Sequence, residues 1–312
     1  MTDTALAIAP VFVMILLGYG LRRGGIPSVE FWNLNDKLVY WVLMPALFFR
    51  QISNADLGAA PAGPYMAALC TGFFAAVVFG WIAARGVGYT PDIGSSVVQG
   101  ASRFNTFVAL AIAEALHGAP GLQLAVLAAA FLVPVVNVTI VVLLTTMLQA
   151  GQGGLSRRVA REILRNPLIL SIALGLLFNV AGLGGMPVVD DTAGILGAAA
   201  LPVMLLCVGA NLRVRGMGGA AGPVAFATLG KFVVFPVAML ISLVLWPPGM
   251  LPAEIALIYA ALPTGVAAYT LARAMGGDSD LMARIITVQT GLAFLTIPLT
   301  LALGDWVLGV VP

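Results

Sequence analysis

One order of apolar runs and prolines occurs twice in this chain. Near the start, Pro10 opens an apolar run that closes at Gly24-Gly25-Ile26-Pro27, and in the second half Pro167 opens one that closes at Gly184-Gly185-Met186-Pro187. Leu43-Met44-Pro45-Ala46-Leu47-Phe48 is answered by Ala200-Leu201-Pro202-Val203-Met204-Leu205, and both proline pairs lie 157 residues apart (167 − 10 and 202 − 45). Ala130-Phe131-Leu132-Val133-Pro134 is answered by Ala293-Phe294-Leu295-Thr296-Ile297-Pro298. Three matches in one order make coincidence a poor explanation. A duplicated apolar half is the plan of membrane proteins that work by alternating access, where two repeats rock against each other.

Composition identifies the solvent. Hydrophobic residues are 61% of the chain and charged residues 9%, against roughly 45–50% and about 25% in soluble domains. Most of the surface must therefore face lipid. At about 20 apolar residues per span, the chain has room for roughly ten helices. The expected spans lie near 5–22, 34–53, 63–84, 92–116, 121–149, 163–182, 191–212, 222–246, 253–275 and 281–309. The expected fold is thus an all-α polytopic membrane protein, with one five-helix repeat in 1–150, a short connection over 151–162 and a second repeat in 163–312. Five is an odd number, so the second repeat enters the membrane from the opposite side and the repeats are inverted. The connection, Gln149 to Arg161 with Gly151, Gly153 and Gly154, is too short and flexible for an inserted domain.

Several classes are excluded. No basic run is interleaved with aromatics, so no nucleic-acid partner is expected. Cys70 and Cys207 are scattered within apolar runs and read as free thiols, not as a disulfide or a metal pair. No metal and no cofactor are expected. One His and two distant Cys do not supply an enzyme's nucleophile and base. Positive charge follows the first apolar run (Arg22, Arg23), which argues against a cleaved signal peptide.

Orientation follows from Lys and Arg in short loops. With the N-terminus outside, the cytoplasmic side receives Arg22, Arg23, Lys37, Arg85, Arg157, Arg158, Arg161, Arg165, Arg213, Arg215, Arg273 and Arg284. The outer side keeps Arg50, while Arg103 and Lys231 lie within spans. Both termini are therefore expected on the periplasmic side of a bacterial inner membrane.

Two spans interrupt their own apolar pattern at corresponding places. Span four carries Gly100-Ala101-Ser102-Arg103-Phe104-Asn105-Thr106, and span nine carries Leu262-Pro263-Thr264-Gly265. Irregular backbone at membrane depth persists only where protein buries it or water reaches it. Interrupted helices in matching positions of two repeats are the sequence pointer to a transport site. Asn105 and Thr106 can cap the second half of span four, and Thr264 that of span nine. Inverted repeats bring these N-termini together, each with free N–H groups and about half a positive charge. Arg103 adds a whole charge, and no mid-span carboxylate offers an obvious cation site. The arrangement suits an anion. Candidate substrate contacts are Arg103, Asn105, Thr106, Pro263, Thr264, Gly265, Gln289 and Pro45.

Each candidate also has a structural reading. Arg103 can pair with a backbone carbonyl or snorkel. Asn105, Gln289 and Thr290 can be polar struts between helices, and Pro45 and Pro202 can be plain kinks. Lys231, about two turns into span eight, is expected to snorkel towards the cytoplasm. Asn137 and Asn179 read as interhelical glue, and His117 as a helix cap in the turn His117-Gly118-Ala119-Pro120-Gly121.

With these residues in view, the chain resembles the auxin efflux carrier family, which includes the plant PIN-FORMED carriers and bacterial malonate-type permeases. Asn105-Thr106-Phe107-Val108 and Ala261-Leu262-Pro263-Thr264-Gly265-Val266 carry the resemblance most strongly. Leu43-Met44-Pro45-Ala46-Leu47 and Arg165-Asn166-Pro167 add to it. The resemblance implies a fold like that of bile-acid symporters and sodium/proton antiporters, with helices four and nine crossing at their breaks. It implies a scaffold of helices 1, 2, 6 and 7, a transport domain of helices 3–5 and 8–10, elevator-like movement and a homodimer. It also implies substrate contact at Asn105. Phe104 departs from the plant pattern, which has proline before the Asn, and the long plant cytoplasmic loop is absent. The expected function is secondary transport of a small organic anion, a mono- or dicarboxylate, with a proton or sodium as possible coupling ion. The alternatives are a sodium-coupled organic-acid symporter, in which Gln289, Thr290 and the span-nine backbone hold the ion, and an anion channel.

Overall fold

In the computed structural model, which describes residues 2–56, 62–148, 160, 164–213 and 220–309, the chain is helical with short connections and contains no strand among those residues. The helices are α1 (Thr2–Arg23), α2 (Val29–Leu38), α3 (Met44–Ser53), α4 (Ala62–Val87), α5 (Pro91–Ser102), α6 (Thr106–Leu148), α7 (Pro167–Val180), α8 (Pro187–Ala210), α9 (Ala221–Leu229), α10 (Phe235–Leu245), α11 (Met250–Ala261), α12 (Ala267–Met275) and α13 (Ser279–Val307). Six helical segments among the described residues are long and apolar enough to cross a bilayer, and α7 and α11 are shorter apolar helices. The all-helical membrane architecture expected from composition is the one observed. The Gln149–Arg161 connection (residue 160 apart), Arg157, Arg158 and Arg215 lie outside the described residues.

Local sequence explains where the helices begin and turn. Asn166 caps α7: its Oδ1 accepts from the N–H groups of Leu168 (3.0 Å) and Ile169 (3.3 Å), and Pro167 takes the first turn, where its missing N–H costs nothing. The Asn-Pro pair is thus a helix start. Pro10, by contrast, lies inside α1, because that helix already begins at Thr2. In α6 two helical runs meet at Gly118, whose φ of 61° only glycine adopts freely, and this is the turn expected around His117. His117 also pairs with Glu254 of α11, Nε2 to Oε2 at 3.3 Å, so it ties two helices together.

Two π-turns were not legible in advance. One, Val39–Leu43, joins α2 to α3, and the other, Gly230–Val234, joins α9 to α10. Each is followed at the second position of the next helix by proline, Pro45 and Pro236. A proline ring crowds the carbonyl four residues earlier. In both cases that carbonyl belongs to the centre of the π-turn, and the wider turn accommodates the ring.

The helices pack in two groups. In the first, α1 lies on α8, and α3 lies on α7 and α8. In the second, α4 packs on α5 and α10, α5 on α9, and α11 on α6 and α13. The first group is pinned at both ends by polar contacts. At one end Asn179 Nδ2 donates to the carbonyls of Ile52 (3.1 Å), Ser53 (3.1 Å) and Ala55 (2.7 Å), which closes the C-terminus of α3. Nearby, Arg50 Nε and Asn54 Nδ2 both reach Asp190, at 3.2 and 2.6 Å. At the other end Arg22 Nη1 donates to Asn211 Oδ1 (3.2 Å), and Asn211 Nδ2 to Asp36 Oδ2 (2.8 Å).

Between those ends, α1 and α8 touch backbone to backbone. A Cβ on Gly209 would overlap the Ile15 carbonyl, and one on Gly18 would overlap the Leu206 carbonyl. Small residues let helices approach this closely in a bilayer, where apolar burial gives little drive for association. Gly209→Ala is expected to destabilise by about 1–3 kcal/mol, the usual cost of overpacking, seen as a lower melting temperature in detergent. Gly291→Ala on α13, whose Cβ would meet nothing within 4 Å, serves as the control and should melt as the unaltered protein does.

Candidate functional site

The two interrupted segments meet. Residues 103–105 separate α5 from α6, and residues 262–266 separate α11 from α12. Across the gap the N–H of Asn105 donates to the carbonyl of Pro263 at 2.8 Å. The approach is close enough that a Cβ on Gly265 would lie 2.9 Å from the Phe104 carbonyl oxygen. Gly265 is therefore required by contact, since a side chain there would push the breaks apart. Phe104, Asn105, Pro263, Thr264 and Gly265 are all buried, and Thr106 is half-buried.

Each break uses the other to satisfy its backbone. Asn105 Oδ1 accepts from the N–H groups of Phe107 (3.2 Å) and Val108 (3.3 Å), capping α6 as its side-chain chemistry predicts. Thr264 behaves differently from expectation. The cap position of α12 is Val266, which makes no side-chain cap bond, and Thr264 lies too far ahead of that helix to reach its N–H groups. Instead Thr264 Oγ1 donates to the carbonyl of Gly100 at 2.9 Å, with the Arg103 carbonyl at 3.4 Å. It closes the C-terminus of α5, the first half of the opposite broken helix.

Gln289 completes the knot. Its Oε1 accepts from Thr264 N–H (3.0 Å), and its Nε2 donates to Gly100 O (2.9 Å). The side chain is fully buried. The structure thus places Gln289 beneath the crossing as a strut from α13, with both ends of its amide engaged. Pro45 lies in the other helix group, at the head of α3 after its π-turn. Arg103 is 8% exposed and donates from Nη2 to Asn137 Oδ1 of α6 at 3.1 Å. Phe104 stacks edge-on against Tyr259 of α11, with centroids 5.3 Å apart, and Tyr259 OH donates to Ala125 O of α6 at 2.6 Å.

A small cavity of about 90 Å³ opens beside the second break. It lies between the two helix groups. Arg22 of α1 and Asn211 and Arg213 after α8 line one side, and Val266, Tyr269 and Ile286 line the other. Arg213 Nη2 donates to Tyr269 OH at 3.1 Å and lies over the same ring. Two arginines therefore line the cavity beside the start of α12, whose Ala268 and Tyr269 N–H groups donate to the carbonyls of Gly265 and Val266. Sequence reasoning assigned Arg22 and Arg213 only to membrane orientation. Their place at the inner ends of α1 and α8 was the available signal, but which helix faces them is set by packing.

Several buried polar atoms have no hydrogen-bond partner: both amide atoms of Gln99, Thr290 Oγ1 and Lys231 Nζ among them. The expectation for Lys231 is overturned. Its side chain does not snorkel but is fully buried, because the π-turn directs it inward among aromatic rings.

A family model described as "Membrane transport protein" matches residues 4–301. The chain is also similar to a protein of Methanothermobacter thermautotrophicus described as an "Uncharacterized transporter", at 25% identity over 303 residues and 96% of each chain.

The crossing yields a contrast between neighbours on α13. Gln289→Leu removes the partner of Thr264 N–H and one of the donors to Gly100 O, each buried group costing about 1–3 kcal/mol. Thr290→Val removes a hydroxyl with no protein partner. The expected result is a clear fall in melting temperature for Gln289→Leu and none for Thr290→Val, measured in the same detergent.

Proposed function

The chain belongs to the membrane transport protein family, that of the auxin efflux carriers, and we propose that it is a secondary transporter of a small organic anion, a mono- or dicarboxylate. The observation that carries this reading is the crossing itself: two broken helices bonded at their breaks, Asn105 N–H to Pro263 O, beside the largely buried guanidinium of Arg103. Arg103, held through Nη2 by Asn137, brings a permanent positive charge to the first break, where a substrate carboxylate would meet it. In this reading Arg103, Asn105, Thr106 and the backbone of Pro263, Thr264 and Gly265 face the carboxylate. Gln289 holds the breaks in register, and Pro45 belongs to the surface against which they move.

The helix grouping supports an elevator. In it, α1–α3 with α7 and α8 form the scaffold and α4–α6 with α9–α13 carry the site, so that each inverted five-helix repeat, 1–150 and 163–312, contributes to both. The second group is knotted internally by Gln289 and Thr264, so it moves as a body. The cavity with Arg22 and Arg213 is the point at which an anion leaves or joins that body. On the sequence's charge distribution it faces the cytoplasm of a bacterial cell, with both termini periplasmic, and the scaffold pairs two copies as a homodimer. Membrane potential alone supplies about 2.3 kcal/mol per charge per 100 mV. A sodium-coupled symporter is the second reading. The unpartnered Thr290 hydroxyl beside Gln289 favours it, and uptake indifferent to sodium removes it.

Labelled malonate and succinate should enter proteoliposomes of the purified protein by slow, saturable flux. Asn105→Ala is expected to weaken binding by about 1–3 kcal/mol, the loss of a hydrogen bond to a charged group, and Arg103→Ala by at least as much. Arg103→Lys should recover part of the loss, since it restores charge without the planar fork. Affinity and melting temperature on the same preparations separate binding from folding. Unchanged affinity in both alanine variants moves the site towards Gln289 and Pro45, and cation flux without organic-anion flux ends the reading.

A further inference from the structure

Lys231 sits where no fixed partner balances it. Its Nζ is fully buried and accepts no compensation from any protein hydrogen-bond acceptor. Two rings surround it, Phe235 with its centroid at 3.7 Å and Phe104 at 5.7 Å. Phe104 belongs to the first break, so the ring that covers the amine is part of the segment proposed to meet the substrate. The side chain is aimed there by the π-turn Gly230–Val234, a backbone form that often accompanies function.

The helices packed on this turn are α4, α5, α9, α10 and α11. Their titratable and charged groups are Tyr65, Cys70 and Arg85 on α4, Asp92 on α5, and Glu254 and Tyr259 on α11, with Arg103 in the break and none on α9 or α10. Asp92 stands in the first turn of α5 and Glu254 just beyond the first turn of α11, about 16 and 12 Å along the helix from the breaks at about 1.5 Å per residue. Glu254 is already paired with His117. A charged ammonium at this place is unbalanced, and an unbalanced charge in an apolar interior costs several kcal/mol. An anion at the adjoining break balances it.

We propose, resting on the transport reading above, that Lys231 is the proton carrier that couples this transporter. When an anion enters the crossing, the lone pair of Nζ takes a proton from water on that side, giving R–NH3+ beside the bound carboxylate. When the anion leaves on the far side, the ammonium returns that proton to water there and the amine is restored. Anion and proton thus cross together, and the empty carrier returns without charge at Lys231.

The test uses proteoliposomes with the membrane potential clamped to zero by valinomycin and equal potassium, acid outside. Wild type should accumulate labelled malonate several-fold above equilibrium, with proton entry seen by internal pyranine. Lys231→Met and Lys231→Gln should lose that accumulation while still taking up malonate down its gradient or under an imposed potential. Lys231→Arg, which holds its charge permanently, should lose it as well. Accumulation in Lys231→Met equal to wild type overturns the proposal. So does a wild type that accumulates malonate under potential but ignores the pH gradient, an outcome that leaves the transport reading standing and needs no variant to fold. A wild type that moves neither malonate nor succinate under any gradient is a different failure, because it overturns the transport reading and this inference with it.

Discussion

Open backbone in a low-dielectric interior must find partners, and the contact between the two breaks meets that demand for both at once. A free N–H or carbonyl at membrane depth costs several kcal/mol. Asn105 caps the start of α6 from its own segment, but other open groups of the breaks find partners only across the crossing. The first break finds an acceptor in Pro263 and a donor in Thr264, and the second finds its acceptor in Gln289, which in turn holds Gly100. The burial of Arg103, the position of Phe104 over Lys231 and the start of α12 beside its cavity all depend on this knot. It also separates two kinds of residue. Asn105 and Arg103 are the residues proposed to meet the ligand, whereas the Gln289 amide and the Thr264 hydroxyl are occupied in joining the two breaks.

The helix group without breaks solves a different problem. Its close contact is Gly18 and Gly209 against opposing backbone, and its polar clamps lie at the ends, not in the middle. In the proposed elevator, close packing in this group and irregularity in the other match the needs of a fixed frame and a carrier.

Much of this was legible in the sequence. The helical membrane character follows from composition, the breaks from polar and proline residues inside apolar spans, and the start of α7 from Asn166-Pro167. Asn105 was readable as a cap because its amide acts on N–H groups two and three residues away, within its own segment. What was misread depends on partners remote in sequence. Thr264 has the side chain of a cap, yet its hydroxyl serves a helix end 164 positions away. Lys231 has a stem long enough to snorkel, and only the π-turn turns it inward. Pro45 and Pro236 were visible, but whether a proline kinks a helix or widens one turn is decided by packing. Gln289 was singled out as polar, while its double engagement required both breaks to be in place.

The knot also has a history within each molecule. The N–H of Asn105 and the carbonyl of Gly100 find their partners at Pro263, Thr264 and Gln289, which are made only when most of the second half has been assembled. At about 5–20 residues per second the ribosome needs on the order of 10–30 s to add the intervening stretch. For that time the helices of the first half lack the partners that close their central gap. Synthesis of this chain therefore has a last step that is not the last residue: the moment when the second gap arrives and the membrane can close over both.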